Sequence, residues 1–161
     1  MSNGVESLVE IYTDGSCDTQ YRAGAWVAII LFNEEKIVLT GVENNTTHNR
    51  MELVAVIEAI AYTRTNYGSA DHIRIYSDSQ YVTELPVRRP KLEAASFLNK
   101  KGTFIQNASL VKSFLDHIAM PHVSLEKIKA HQKKTCDINY NIEADLLARK
   151  TVRDLVRKTV T

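Results

Sequence analysis

The feature that most constrains this chain is a change of hydrophobic period between residues 43 and 52. Before it, three apolar, β-branched runs follow one another over residues 8–13, 24–32 and 36–42. The second, GAWVAIILF, is apolar at successive positions and reads as a strand buried on both faces. Asp14-Gly15 is a turn signal that ends the first run, and Asn33-Glu34-Glu35 joins the second to the third. Linkers this short predict an antiparallel meander. Beyond the change, Leu53, Val56, Ile57, Ile60 and Ala61 recur at i, i+3, i+4, i+7 and i+8. That stripe predicts an amphipathic helix over about residues 49–67, terminated by Gly68.

The second half alternates. Residues 72–77 (HIRIYS) predict a strand which, following a helix, can pair in parallel with an earlier one. A short helix over residues 79–85 stops before Pro86, and residues 86–102 read as irregular. A helical stripe over 108–120, a fifth strand over 123–129, a polar loop and a last helix over about 142–158 complete the order βββαβααβα. The expected architecture is α/β: a five-stranded mixed sheet, three strands antiparallel and two parallel-paired, covered by helices. A length of 161 residues suits one domain, here 1–161 with a core over about 8–158. No apolar run approaches the roughly 20 residues of a membrane span. The two cysteines, Cys17 and Cys136, make neither a disulfide framework nor a zinc site.

Charge is split along the chain. Residues 1–85 carry a net −7 and residues 86–161 a net +8, which the overall +1 conceals. An acidic pole and a basic pole able to follow phosphates would give this pattern, and so would two solvated helix faces. Within the acidic half, Asp14 and Asp78 close predicted strands, and Glu52 lies in the first turn of the long helix. Asp145 lies in the first turn of the last one. Sites in sheets with helical crossovers form beyond the carboxyl ends of strands. Gathered there, four carboxylates would repel one another unless hard divalent cations neutralised them. Each acid also has a plainer explanation. Asp14 would suit a turn, Asn49-x-x-Glu52 has the spacing of a capping box, Asp78 could cap the next helix, and Asp145 could offset a helix dipole.

Taken together the motifs say more. Thr13-Asp14-Gly15-Ser16-Cys17, Thr47-His48-Asn49-Arg50-Met51-Glu52-Leu53 and Tyr76-Ser77-Asp78-Ser79-Gln80-Tyr81-Val82 closely resemble the three acidic motifs of type 1 ribonuclease H. His131 and the run from Asn141 to Ala148 resemble its fourth. The resemblance covers about residues 10–149, and gaps of 38, 26 and 67 residues separate the four acids. It implies cleavage of the RNA strand of RNA–DNA hybrids with two Mg²⁺ ions, Mn²⁺ substituting, and 5′-phosphate and 3′-hydroxyl ends. Asp14 would bridge both ions, Asp145 would complete the first ion's protein ligands, and Glu52 with Asp78 would complete the second's. Two ions about 4 Å apart suit an in-line displacement at phosphorus.

The resemblance also implies substrate contacts. His131 matches a mobile loop histidine that assists proton transfer and product release, although the loop before Asp145 is longer than in the best-known bacterial members. Asn49 and Gln80 match residues that approach the hybrid's minor groove, where RNA displays its 2′-hydroxyls. Ser16 and Cys17 match positions where small side chains meet nucleic acid, and Thr47 one that helps hold a DNA phosphate. Arg88, Arg89, Lys91, Lys100 and Lys101 fall where bacterial members carry a basic handle. That handle is usually rich in tryptophan, whereas Trp26, the only tryptophan, belongs to the second strand. Salt-sensitive phosphate contacts without stacking are therefore expected, with Phe97 and Phe104 facing the core. The reading is a free-standing, monomeric, cytoplasmic enzyme without a polymerase or amino-terminal hybrid-binding module. Its competitors are a junction resolvase or 3′ exonuclease on the same scaffold, and a non-catalytic hybrid-binding module.

Overall fold

The computed structural model describes residues 7–128 and 139–160. Five strands, β1 (Leu8–Asp18), β2 (Ala23–Phe32), β3 (Glu35–Glu43), β4 (His72–Ser77) and β5 (Val123–Lys127), form one sheet in the order β3-β2-β1-β4-β5. The first three pair antiparallel, while β1–β4 and β4–β5 are parallel. The helices are α1 (His48–Asn66), α2 (Gln80–Ala94), α3 (Ala108–Ile118) and α4 (Tyr140–Val160). The expected mixed sheet and element order are present.

β2 explains its own continuous apolar run. Ala28 and Ile30 point into the large core with α1, beside Val9, Ile11, Leu53, Val56 and Ile60. Val27 and Ile29 point to the other face, against Ala144 and Ala148 of α4. A strand covered on both sides has no position for a polar residue. At the sheet edge, β3 alternates between exposed and half-buried positions.

Several boundaries differ from the sequence expectation. Asp14-Gly15 does not end β1, which runs on to Asp18, with Asp14 opposite Val27 and Gly15 opposite Trp26. Glycine is required at position 15 by close approach. A Cβ there would lie 2.6 Å from the Glu52 backbone nitrogen and 2.7 Å from the Met51 carbonyl carbon. Likewise α2 does not stop at Pro86 but continues through Pro86 and Pro90 to Ala94. Each proline costs about 3 kcal/mol or more inside a helix. Buried Val82, Leu85 and Leu92, packed in the main core, offset that cost. The prolines are four residues apart and so share one side of the helix, with Pro86 half-buried and Pro90 exposed.

Both acid-bearing helices also begin earlier than expected, which puts Glu52 and Asp145 in second turns. Thr47 caps α1 by accepting from the Arg50 amide at 3.2 Å. Asn139 accepts from the Ile142 amide at 3.2 Å at the start of α4. With Thr47 as the cap, Asn49 and Glu52 do not form a capping box. After α2, the expected irregular stretch is a compact turn. The Asn99 amide donates to the Thr103 carbonyl at 2.7 Å, and Lys100 and Lys101 sit at the tip. Phe97 is buried as expected, but Phe104 is 64% exposed.

Candidate active site

The site forms where two strands part. β1 pairs with β4 only from Leu8–His72 to Tyr12–Tyr76, and from Thr13 onward its strand pairing is with β2. β4 ends at Ser77, so Asp78 emerges beside Asp14 at the carboxyl end of a parallel pair. That is the position at which open sheets with helical crossovers place ligands. Gly15 admits the second turn of α1 against β1, which brings Glu52 to the same point.

Oxygens of Asp14, Glu52 and Asp78 all lie within 4.8 Å of one another. Asp14 and Glu52 are buried, at 4% and 1% exposure. The plainer roles of Asp14 and Asp78 have other holders. β1 makes no turn at Asp14, and Ser79, rather than Asp78, caps α2 by accepting from the Val82 amide. Asp145 lines the same cavity of about 740 Å³, but its Oδ1 accepts from Arg149 Nε at 3.2 Å.

Among the described residues, this cluster keeps an unsatisfied carboxylate oxygen. Burial, then the charges of Glu52, Asp78 and Asp145, push the Asp14 carboxyl up from 3.8 to about 9. Glu52 is also raised by burial, and a hydrogen bond from His48 opposes the rise. His48 Nε2 lies 3.2 Å from Glu52 Oε1, while Glu52 Oε2 is buried without a hydrogen-bond partner among the described residues. A buried unsatisfied polar atom costs about 1–3 kcal/mol, and more when charged. An all-oxygen, acid-rich donor set with such an atom fits a hard divalent cation held by Asp14, Glu52 and Asp78.

The other candidates divide. Ser16, Asn49 and Gln80 line the cavity with the acids. Thr47 caps α1, and Cys17 is half-buried on β1 with its Sγ 3.6 Å from the Thr46 and Asp18 carbonyls. Arg88, Lys91, Lys100 and Lys101 are exposed on α2 and the following turn. Arg89 ties α2 to α3 instead, bonding the Leu115 carbonyl at 3.0 Å and Asp116 at 3.1 Å, with Glu93 at 2.7 Å. His131 lies outside the described residues. Among the cavity residues given no role from the sequence, His48 and Arg149 contact the acids. Each is four positions from an acid on its own helix, a spacing at which side chains meet. That spacing was the available signal.

A carboxylate cluster beside a polar, open cavity has the make-up of a divalent-cation site, which places the chain in the class of proteins built to hold such ions. The RNase H family model matches residues 6–153. Ribonuclease H of Wolbachia sp. subsp. Drosophila simulans (strain wRi) is 39% identical over 151 residues, covering 91% of this chain and 96% of the relative. Ribonuclease H of Thermoanaerobacter sp. (strain X514) is 34% identical over 160 residues, covering 98% and 97%. In fold, the chain is similar to LC9-RNase H1, a type 1 RNase H with the type 2 active-site motif. The TM-score is 0.74 at 22% identity, over 95% of this chain and 75% of that one. The chain belongs to the RNase H family. It is an endoribonuclease of a family that cleaves RNA in RNA–DNA hybrids and depends on divalent metal.

Proposed function

We propose that this chain hydrolyses the RNA strand of RNA–DNA hybrids by a two-ion mechanism with Mg²⁺, leaving 5′-phosphate and 3′-hydroxyl ends. The observation that carries the reading is the convergence of Asp14, Glu52 and Asp78 within 4.8 Å, with one Glu52 oxygen buried and unpartnered. Asp14 would hold both ions, Glu52 and Asp78 one of them, and Asp145 the other after exchanging its Arg149 contact. When bound, such ions activate the attacking water and stabilise the leaving 3′-oxygen.

The chain's own residues supply the remainder. Asn49, Gln80 and Ser16 surround the acids and present amide and hydroxyl groups to sugar edges and 2′-hydroxyls. Arg88, Lys91, Lys100 and Lys101 offer phosphates an exposed basic surface, with Thr47 and Cys17 as lesser contacts. His131 acts on the departing product. The protein works as a single-domain cytoplasmic monomer. No helix among the described residues is long and apolar enough to cross a membrane.

The test is incubation with end-labelled hybrid, duplex RNA and duplex DNA in Mg²⁺, Mn²⁺ or chelator. Cleavage should be confined to the RNA of the hybrid, stop in chelator and leave phosphatase-sensitive 5′ ends. Cleavage that persists in chelator would refute the metal mechanism, and equal cleavage of duplex DNA would refute the substrate.

A further inference from the structure

We propose that His48 is a positioning residue for Glu52, engaging one carboxylate oxygen so that the other is reserved for a divalent cation. The inference rests on the metal-binding reading given above and adds a residue to it. His48 is the first residue of α1, and Glu52 follows four positions later. One helical turn places the two side chains on one face. The Thr47 cap fixes where the helix starts, and so fixes the turn from which the imidazole projects. Nε2 reaches Glu52 Oε1 at 3.2 Å, with the His48 side chain 59% exposed and the Glu52 side chain 1% exposed.

The contact needs no charge on the ring. A neutral imidazole carrying its proton on Nε2 donates to a carboxylate oxygen. A glutamate's last torsion is broad and two-fold, so its oxygens exchange unless something distinguishes them. Here His48 takes Oε1, while Oε2 is buried without a hydrogen-bond partner among the described residues. The carboxylate is thereby held as a one-oxygen ligand. Mg²⁺, small and octahedral, is bound through one or two carboxylates and keeps several waters. Partners that bond the far side of a metal ligand set its orientation, and losing them typically costs 10–100-fold in metal affinity or activity.

The experiment titrates Mg²⁺ into substrate-free wild type, His48→Ala and His48→Gln, followed by calorimetry and by the Mg²⁺-induced rise in Tm. The Mg²⁺ midpoint of hybrid cleavage is measured beside them, and Tm in chelator confirms that each variant is folded. His48→Ala should weaken Mg²⁺ binding about tenfold and shift the cleavage midpoint by the same factor. His48→Gln, whose amide donates at similar reach, should recover most of that loss. Unchanged Mg²⁺ affinity in His48→Ala overturns the proposal, as does a glutamine variant no better than alanine. Weaker hybrid binding in chelator with Mg²⁺ affinity intact also overturns it, and makes His48 a phosphate contact. A wild type that neither binds Mg²⁺ nor cleaves hybrid refutes the site reading itself. A wild type that does both, with variants matching it, refutes only the role of His48.

Discussion

Asp14→Asn removes a charge from the centre of the acid cluster while keeping its shape. In the folded protein burial and three neighbouring carboxylates raise the Asp14 carboxyl to about 9, whereas in the unfolded chain it titrates near 3.9. Below both values the two states hold the proton equally, and Asp14 has no effect on the pH dependence of stability. As pH rises, the unfolded chain releases the proton first. Stability then falls by about 1.4 kcal/mol per pH unit until the folded group ionises as well. By pH 7 the accumulated loss is at most about 4 kcal/mol, and proton sharing with Glu52 reduces it. Asparagine escapes this loss. In chelator at pH 7 the variant should be more stable by about 2 kcal/mol, which raises Tm by roughly 4–8 °C. The difference should close near pH 4 and widen toward pH 8. Mg²⁺ should reverse the ranking, since it stabilises the folded wild type by mass action and the variant far less. Hybrid cleavage by the variant should fall below detection. Thermal melts across pH, with and without Mg²⁺, and a cleavage assay per folded molecule decide the matter. A variant that melts lower in chelator at pH 7 but cleaves normally would make Asp14 a structural residue, and robust Mg²⁺-dependent cleavage would falsify the two-ion assignment.

Gly15→Ala should lower Tm by the equivalent of about 1–3 kcal/mol, because the new methyl meets α1 backbone at 2.6 Å. Cleavage should fall further than stability does, since Glu52 moves with that turn; a fully active variant would refute the close-approach argument. Neutralising Arg88, Lys91, Lys100 and Lys101 together should raise KM and flatten its salt dependence, and an unchanged salt slope would identify an ordinary solvated surface. Arg89→Ala should leave that slope alone and lower Tm by roughly 2–4 °C, because its contacts are to α3 and Glu93. His131→Ala should reduce turnover by about 10–1000-fold with Mg²⁺ binding preserved, and full activity across roughly pH 6–9 would remove it from the mechanism.

Much of the fold was legible because burial leaves a period in the sequence. β2 is apolar at successive positions since both its faces are covered, and α1 carries its stripe every three to four residues. The acids were legible for the converse reason. Each stands at an end of a predicted element rather than within its apolar stripe, inside a motif that resembles the family's. Boundaries were read less well. Asp14-Gly15 has the local chemistry of a turn and Pro86 that of a helix stop, and both local preferences were overridden by packing. The glycine answers to the backbone of Met51 and Glu52 in a distant helix, and the prolines are tolerated because Val82, Leu85 and Leu92 anchor α2.

By itself, then, the sequence determined the element order, the mixed sheet and the four candidate acids, since each is written in spacing and residue type along a local stretch. Tertiary structure alone decided which groups meet. It placed Asp14, Glu52 and Asp78 within 4.8 Å of one another and opened Asp145 onto the same cavity. It turned Arg89 toward α3. Such pairings depend on how strands and helices pack across long sequence separations, and on which way each side chain leaves its helix. A charged residue fits a solvated face, an interhelical tie or a binding surface equally well until its neighbours are fixed, because its chemistry is the same in all three.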